Sequence, residues 1–476
     1  MTDQQQTRKM GGILALCHNI KDRLLTITFR SHIILSILIR ICLIIYGQFM
    51  DKYSEVPYTD IDYIVVTDGA RQMLRGNSPF RRHTYRYSPI LAFMQIPNVV
   101  VYHEMGKFIY SCFDILVALL IYIIVRNELQ SQCNKAVKYL LTKYGRGSQF
   151  SSKLNYGDSD SRNSPEKIAK ASACFWLYNP LTAVISTRGN GDSFSSFFVI
   201  FTLYLIIKSD DCSNSVKKRN WLIFTAGLIH GFAIHLRLYP LLFSLAYFLT
   251  LSSRLVKSFK DFMRVVLFPN LQQLILIGGT LMSLILVTGF FYRLYGWQYI
   301  YEAYLYHFVR KDIRHNFSLY FLMQYLGSDS SHGVGGLQKL LILAPQLIII
   351  IYLSIGFGQF RQTLPFCIFT IAYTMVTFNS VVTSQYFIWY LALLPLCINN
   401  FQSMSLRQCC GYFGMWLLFQ GLWLLPAYLL EFKSWNTFYW IGIQGGLFFI
   451  VNNFILSRLI ENYSFTPFKI NIKKLF

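Results

Sequence analysis

Charged residues are scarce in this chain. Only 14% of its 476 residues are Asp, Glu, Lys or Arg, while 54% are hydrophobic, and the mean hydropathy is +0.39. That balance excludes an ordinary soluble domain and makes the bilayer the natural solvent. Acidic residues are scarcer still, 22 against 44 basic ones. The resulting charge of +22 does not indicate nucleic acid, because the bases sit between apolar runs and are not interleaved with aromatics in one patch. No CxxC pair occurs among the ten cysteines, which argues against a metal finger or a disulfide framework. No small-residue cleavage pattern accompanies the first apolar run, which therefore reads as a retained span. No internal repeat of the transporter kind is visible.

Long apolar runs are present from end to end. Clear ones cover 33–49, 108–125, 194–207, 271–291, 340–355 and 412–425, and with their flanks most reach the roughly 18 to 20 residues that cross a hydrocarbon core. Short basic stretches set the orientation, since cytosolic loops are enriched in Lys and Arg. They include Arg8, Lys9, Lys21, Arg23 and Arg30, then Arg126 to Lys167, then Lys208 with Lys217 to Arg219, then Arg254 to Arg264. About 12 spans, near 31–50, 108–126, 168–186, 192–208, 220–237, 239–252, 267–293, 337–358, 363–379, 385–400, 409–428 and 437–458, put all of these on one side with both termini cytosolic. The expected layout is a cytosolic N-terminus over 1–30, a membrane domain over 31–458 and a cytosolic tail over 459–476. Within the membrane domain, 51–107 is an acidic luminal loop and 127–167 a flexible cytosolic loop. The segment 87–102, interrupted by Pro89 and Pro97, reads as a helix lying at the interface. The predicted fold class is all-α and polytopic.

With this topology every conspicuous polar cluster outside the basic loops falls on the luminal face, which points to one shared site because polar groups near a bilayer are costly. Asp60 and Asp62, at i and i+2, lie on one side of an extended segment and suit proton sharing, metal binding or divided base and positioning roles. A hydrated loop with two surface acids is the plainer reading. Arg86 belongs to an aromatic and arginine run, Thr84 to Pro89, suited to sugar and phosphate. Arg188 and Asp192 flank a glycine-rich turn and are candidates to pair with each other. Arg237 at a helix end either snorkels or binds an anion. His307, Arg310, Arg314 and His315 are dense cations on the face where the charge rule disfavours them, as expected if they meet a phosphate. Gln385 lies in a polar turn between helices, as a substrate contact or as part of a helix cap. Asn316-Phe317-Ser318 spells a glycosylation sequon that burial in a site would silence.

Taken in order, YTDIDY and TDGAR (58–71), GNSPF and TYRYSP (76–89), STRGNGDS (186–193), HGFAIHLRLYP (230–240), YHFVRKDIRHNFS (306–318) and FNSVVTSQYFIWYLALLP (378–395) resemble the PIG-M family. This family comprises the catalytic subunits of GPI mannosyltransferase I. The resemblance implies a GT-C type transmembrane helix bundle with luminal loops. It implies transfer of the first mannose, α-1,4, from dolichyl phosphate mannose to glucosaminyl-(acyl)phosphatidylinositol in the endoplasmic reticulum lumen. Asp60 and Asp62 fall on the family's DxD positions, and inversion at the anomeric carbon calls for one base, expected at Asp60 with Asp62 positioning or sharing. The leaving phosphate calls for cations, expected at His307, Arg310, Arg314 and His315 with Arg86, Arg188 and Arg237 behind them. No cofactor is required by this chemistry, and the DxD spelling alone does not call for a divalent metal. The implied partners are the two lipid substrates, membrane lipids and a single-span stabilising subunit like PIG-X, with no nucleic acid. The Lys473-Lys474-Leu475-Phe476 end resembles a dilysine retrieval signal. Rival readings are another dolichol-dependent GT-C mannosyltransferase, or a lipid or solute transporter.

Overall fold

Helices follow the apolar sequence along almost the whole chain. The computed structural model describes residues 26–144, 164–212, 214–306, 316–326, 336–401 and 403–464, among which no strand occurs. Helix α1 (Phe29–Tyr53) begins where Thr28 accepts from the Ser31 amide and breaks its own backbone into the extended region. A polar excursion follows, carrying α2 (Ile61–Leu74), a 3₁₀ turn (Pro79–Arg81), α3 (Pro89–Met94) and α4 (Ile96–Val100). The chain then forms α5 (Met105–Tyr144), α6 (Pro165–Leu177), α7 (Pro180–Thr187), α8 (Asp192–Asp211), α9 (Val216–Leu236), α10 (Ser244–Thr250), α11 (Phe259–Leu267) and α12 (Leu271–Ile300). A π-helical turn (Tyr301–Leu305), α13 (Phe321–Leu326), α14 (Gly336–Phe357), α15 (Leu364–Phe378), α16 (Phe387–Leu391), α17 (Leu406–Lys433) and α18 (Phe438–Asn462) complete it.

Among the described residues, six helices are long and apolar enough to cross a bilayer: α1, α5, α8, α12, α17 and α18. Their outward faces keep large apolar side chains exposed, among them Ile34, Leu38, Ile285, Leu286, Leu418 and Ile450. Lipid is the solvent that such faces need. Of the other expected spans, α9 and α14 are continuous helices, whereas two are broken. The span expected over 168–186 is split at Asn179, which caps α7 with Pro180 in its first turn. That expected over 385–400 is a succession of a 3₁₀ turn, α16 and two more 3₁₀ turns. Helix α15 has an almost entirely buried surface, so its hydropathy records protein packing and not lipid contact.

Two further differences concern the loops. The interfacial segment 87–102 is two short helices, each begun by a proline, with Gln95 between them. The expected flexible loop 127–167 starts as helix, because α5 continues through Tyr144. Once a helix is nucleated in the bilayer, each added residue gains one backbone hydrogen bond for one residue ordered, so it propagates into a polar segment without a stop signal.

Small residues let α9 and α12 meet closely. A Cβ on Gly227 would lie 2.5 Å from the Leu276 carbonyl, and one on Gly279 would lie 2.5 Å from the Phe224 carbonyl. Gly227 and Gly231 form a GxxxG face of the kind that brings membrane helices into backbone contact. This close crossing fixes the end of α9, where His235 meets Tyr299 and Tyr304.

Candidate active site

The polar clusters separated along the sequence come together at one end of the bundle. Asp60 is the N-cap of α2: one carboxylate oxygen accepts from the Asp62 amide at 3.0 Å, and Oδ2 accepts from Gln385 Nε2 at 2.5 Å. The same residue's backbone N–H donates to the Arg188 carbonyl at 2.9 Å, and Arg188 Nε returns a bond to the Tyr58 carbonyl at 2.8 Å. Tyr58 and Thr187 hydroxyls complete this seam at 2.7 Å. Gly189 makes the approach feasible, since its φ of +92° suits a residue without a side chain and a Cβ there would run into the Tyr63 ring.

Asp62 follows two residues later, in the first turn of α2, and is half-buried. Burial, and secondly the neighbouring Asp60 charge, raise its pKa, against a hydrogen bond from Tyr87 and the Arg237 charge. Burial likewise pushes the Tyr87 hydroxyl well above its ordinary value, so Tyr87 stays a donor to Asp62. Arg237 stands 5.4 Å above the Tyr87 ring and 3.2 Å from Asp192 Oδ1, which also accepts from Trp389 Nε1 at 3.2 Å. The Trp389 indole is stacked between Tyr239 and Tyr386, with both centroid distances 4.2 Å.

Around this core the neighbouring loops are pinned. His235 bridges the Ser88 hydroxyl at 2.8 Å and the Tyr304 hydroxyl at 2.7 Å. Arg86 pairs with Glu302 and lies 4.2 Å over the Tyr306 ring, at the root of the cationic stretch. Lys107 is fully buried, bonded to Glu104 at 2.6 Å and Thr59 at 2.7 Å. The sequon asparagine, Asn316, is buried and bonded to Ser318, Ser380 and Val382.

Of the site residues read from sequence, Asp60, Asp62, Arg188, Arg237 and Gln385 are brought together, with Arg86 at the flank. His307, Arg310, Arg314 and His315 lie outside the described residues, as do the N-terminal basic residues and the dilysine end. Three readings change. Arg188 does not pair with Asp192; it holds the Tyr58 carbonyl, and Asp192 pairs with Arg237. Arg237 is therefore not a snorkelling arginine. Gln385 caps no helix but binds Asp60. Sequence reading passed over Glu302 and Trp389, and also over Arg40 and Asp114, which form a fully buried ion pair at 2.8 Å. A lone acid and a lone base in two apolar runs were the available signal for that pair. Among the described residues no three His, Cys, Asp or Glu side chains converge as metal ligands.

A polytopic α-helical bundle gathering a carboxylate pair, arginines and stacked aromatics at one end is the frame of a membrane-embedded glycosyltransferase. Residues 185–460 match the family described as Mannosyltransferase (PIG-M). The chain is 35% identical to the Danio rerio "GPI alpha-1,4-mannosyltransferase I, catalytic subunit" over 90% of this chain and 95% of that protein. It is 31% identical to a Dictyostelium discoideum "GPI mannosyltransferase 1", covering 93% of each, and 30% identical to the Saccharomyces cerevisiae protein of that name, covering 90% and 94%. The chain belongs to the PIG-M mannosyltransferase family and is a GPI mannosyltransferase of the membrane.

Proposed function

We propose that the protein transfers the first mannose, in an α-1,4 linkage, from dolichyl phosphate mannose to glucosaminyl-(acyl)phosphatidylinositol, on the luminal face of the endoplasmic reticulum. The observation that carries this reading is the pair Asp60–Asp62 inside a ring of neutral donors and arginines. A β-linked donor and an α-linked product require in-line attack. The acceptor oxygen forms a bond to the anomeric carbon, the bond to phosphate breaks, and the electron pair leaves with the phosphate. The acceptor proton needs a base. Both Asp60 oxygens are engaged, by the Asp62 amide and Gln385, whereas burial raises the proton affinity of Asp62 above that of an ordinary aspartate. These facts favour Asp62 as the proton acceptor and Asp60 as the residue that anchors the loop, a division of roles opposite to that expected from sequence.

The departing phosphate needs cations more than a proton. Arg86 and the 307–315 stretch, whose root it holds through Glu302 and Tyr306, are proposed for that role, with Arg188 and Arg237 serving the acceptor side. No step calls for a metal. A single-span partner subunit and cytosolic termini complete the proposal. Complementation of cells lacking the first GPI mannosyltransferase tests it: the wild type restores mannosylated intermediates, while Asp62→Ala does not. A well-expressed wild type that yields no mannosylated intermediate rejects the acceptor.

A further inference from the structure

Asp192 is a buried carboxylate left incomplete. Its Oδ1 is held by Trp389 and Arg237, yet its Oδ2 has no hydrogen-bond donor although the residue is only 1% exposed. Asp114 shows the saturated alternative: both of its oxygens receive donors, from Arg40, Ser186 and Ser193. A dry, unpaired carboxylate oxygen is costly and asks for a partner that arrives from outside.

The surroundings define that partner. The charges of Asp60 and Asp192 both act on Asp62, and that of Asp60 acts on Asp192. Among the described residues, Arg237 is the cation acting on both Asp62 and Asp192. Three neighbouring carboxylates, two of them acted on by the one guanidinium, favour a cationic ligand. Their side chains do not converge as metal ligands, so a compact organic cation with N–H donors fits better. Trp389, wedged between Tyr239 and Tyr386, holds Oδ1 in place and so fixes the carboxylate.

We propose that Asp192 Oδ2 receives the ammonium group of an amino sugar in the acceptor, making Asp192 the residue that selects a free amine over an acetamide or a hydroxyl. The inference rests on the proposed acceptor. In glucosamine the reacting C4 hydroxyl and the C2 amine belong to one ring, so the base and the amine-binding carboxylate must be neighbours. Asp62 and Asp192 meet that condition.

The test compares purified full-length protein acting on glucosaminyl-, N-acetylglucosaminyl- and glucosyl-phosphatidylinositol, with dolichyl phosphate mannose as donor. The wild type prefers the amine, and Asp192→Asn lowers the ratio of kcat/KM for amine over hydroxyl acceptor by about tenfold or more, the loss of one charge-assisted bond. Asp192→Glu, which keeps the charge, retains a preference for the amine. An equal loss on both acceptors in Asp192→Asn overturns the proposal in favour of a structural role. Should Asp192→Asn fail to fold, the wild type still decides: soluble glucosaminyl-inositol inhibits more strongly than glucosyl-inositol, and equal inhibition overturns the proposal. A wild type that uses the hydroxyl acceptor but not the amine rejects the acceptor reading itself.

Discussion

Among the described residues one arginine–aspartate pair is fully buried and another partly so, and their carboxylates differ in how they are satisfied. Arg40 and Asp114 lie on α1 and α5, 1% and 0% exposed, and Asp114 takes the hydroxyls of Ser186 and Ser193 as well as the guanidinium. Those two serines bracket the turn that carries Arg188 and Asp192, so the first pair clamps both ends of the loop that serves the second. Arg237 and Asp192 lie at the site end, where one carboxylate oxygen is left without a donor. The contrast teaches that burial alone does not mark function. A carboxylate with both oxygens bonded is an anchor, and one with an oxygen left over is an invitation to a ligand.

Breaking the anchor is expected to have the largest effect. Asp114→Ala leaves Arg40 charged and buried, which costs about 3–5 kcal/mol; thermal melting in detergent should show a large loss of folded protein. The double replacement Arg40→Met with Asp114→Leu should recover most of it, because neither charge is then stranded. Failure of the double variant to recover would mean that the pair does more than hold helices.

Next comes the chemistry. Asp62→Asn should lower transfer about 10²- to 10⁴-fold at unchanged melting temperature, as expected for a lost general base. The sign of the pH effect follows from burial: an acid with a raised pKa is still protonated where an ordinary aspartate is ionised. Wild-type kcat should therefore fall as pH drops through a value above the usual carboxylate range and recover above it, and that limb should vanish in Asp62→Asn. A limb that persists would assign the base to another group.

Gln385→Leu should have an intermediate effect, about tenfold, since it removes the neutral donor that fixes Asp60. Steady-state kinetics should place the loss in kcat more than in the donor KM. The smallest change is expected at Arg71, whose pair with Asp68 is 47% and 29% exposed. Arg71→Ala should change stability by no more than about 1 kcal/mol, which completes the series from saturated burial to solvent.

Much of the site was readable before folding. Asp60, Asp62, Arg188, Arg237 and Gln385 each stood in a polar island between apolar runs, and the positive charges predicted that those islands share a face. The pairing among them was not readable. Arg188 and Asp192 are four residues apart and look like mutual partners, yet the glycine turn sends Arg188 to the Tyr58 carbonyl and leaves Asp192 to Arg237. Arg40 and Asp114 are single polar letters in apolar text, and neither predicts the other across 74 residues. An apolar run reads the same whether it faces lipid, as in α17, or is packed inside protein, as in α15, so the run alone does not tell which helices meet the bilayer.

The amino-acid sequence by itself determined the solvent, the helical class and the places where polar chemistry gathers, because hydropathy and charge act locally along the chain. Only the tertiary structure decided which carboxylate is tied, which is lifted in proton affinity and which is left open. Those properties depend on desolvation and on donors that arrive from distant helices, and no local pattern encodes them.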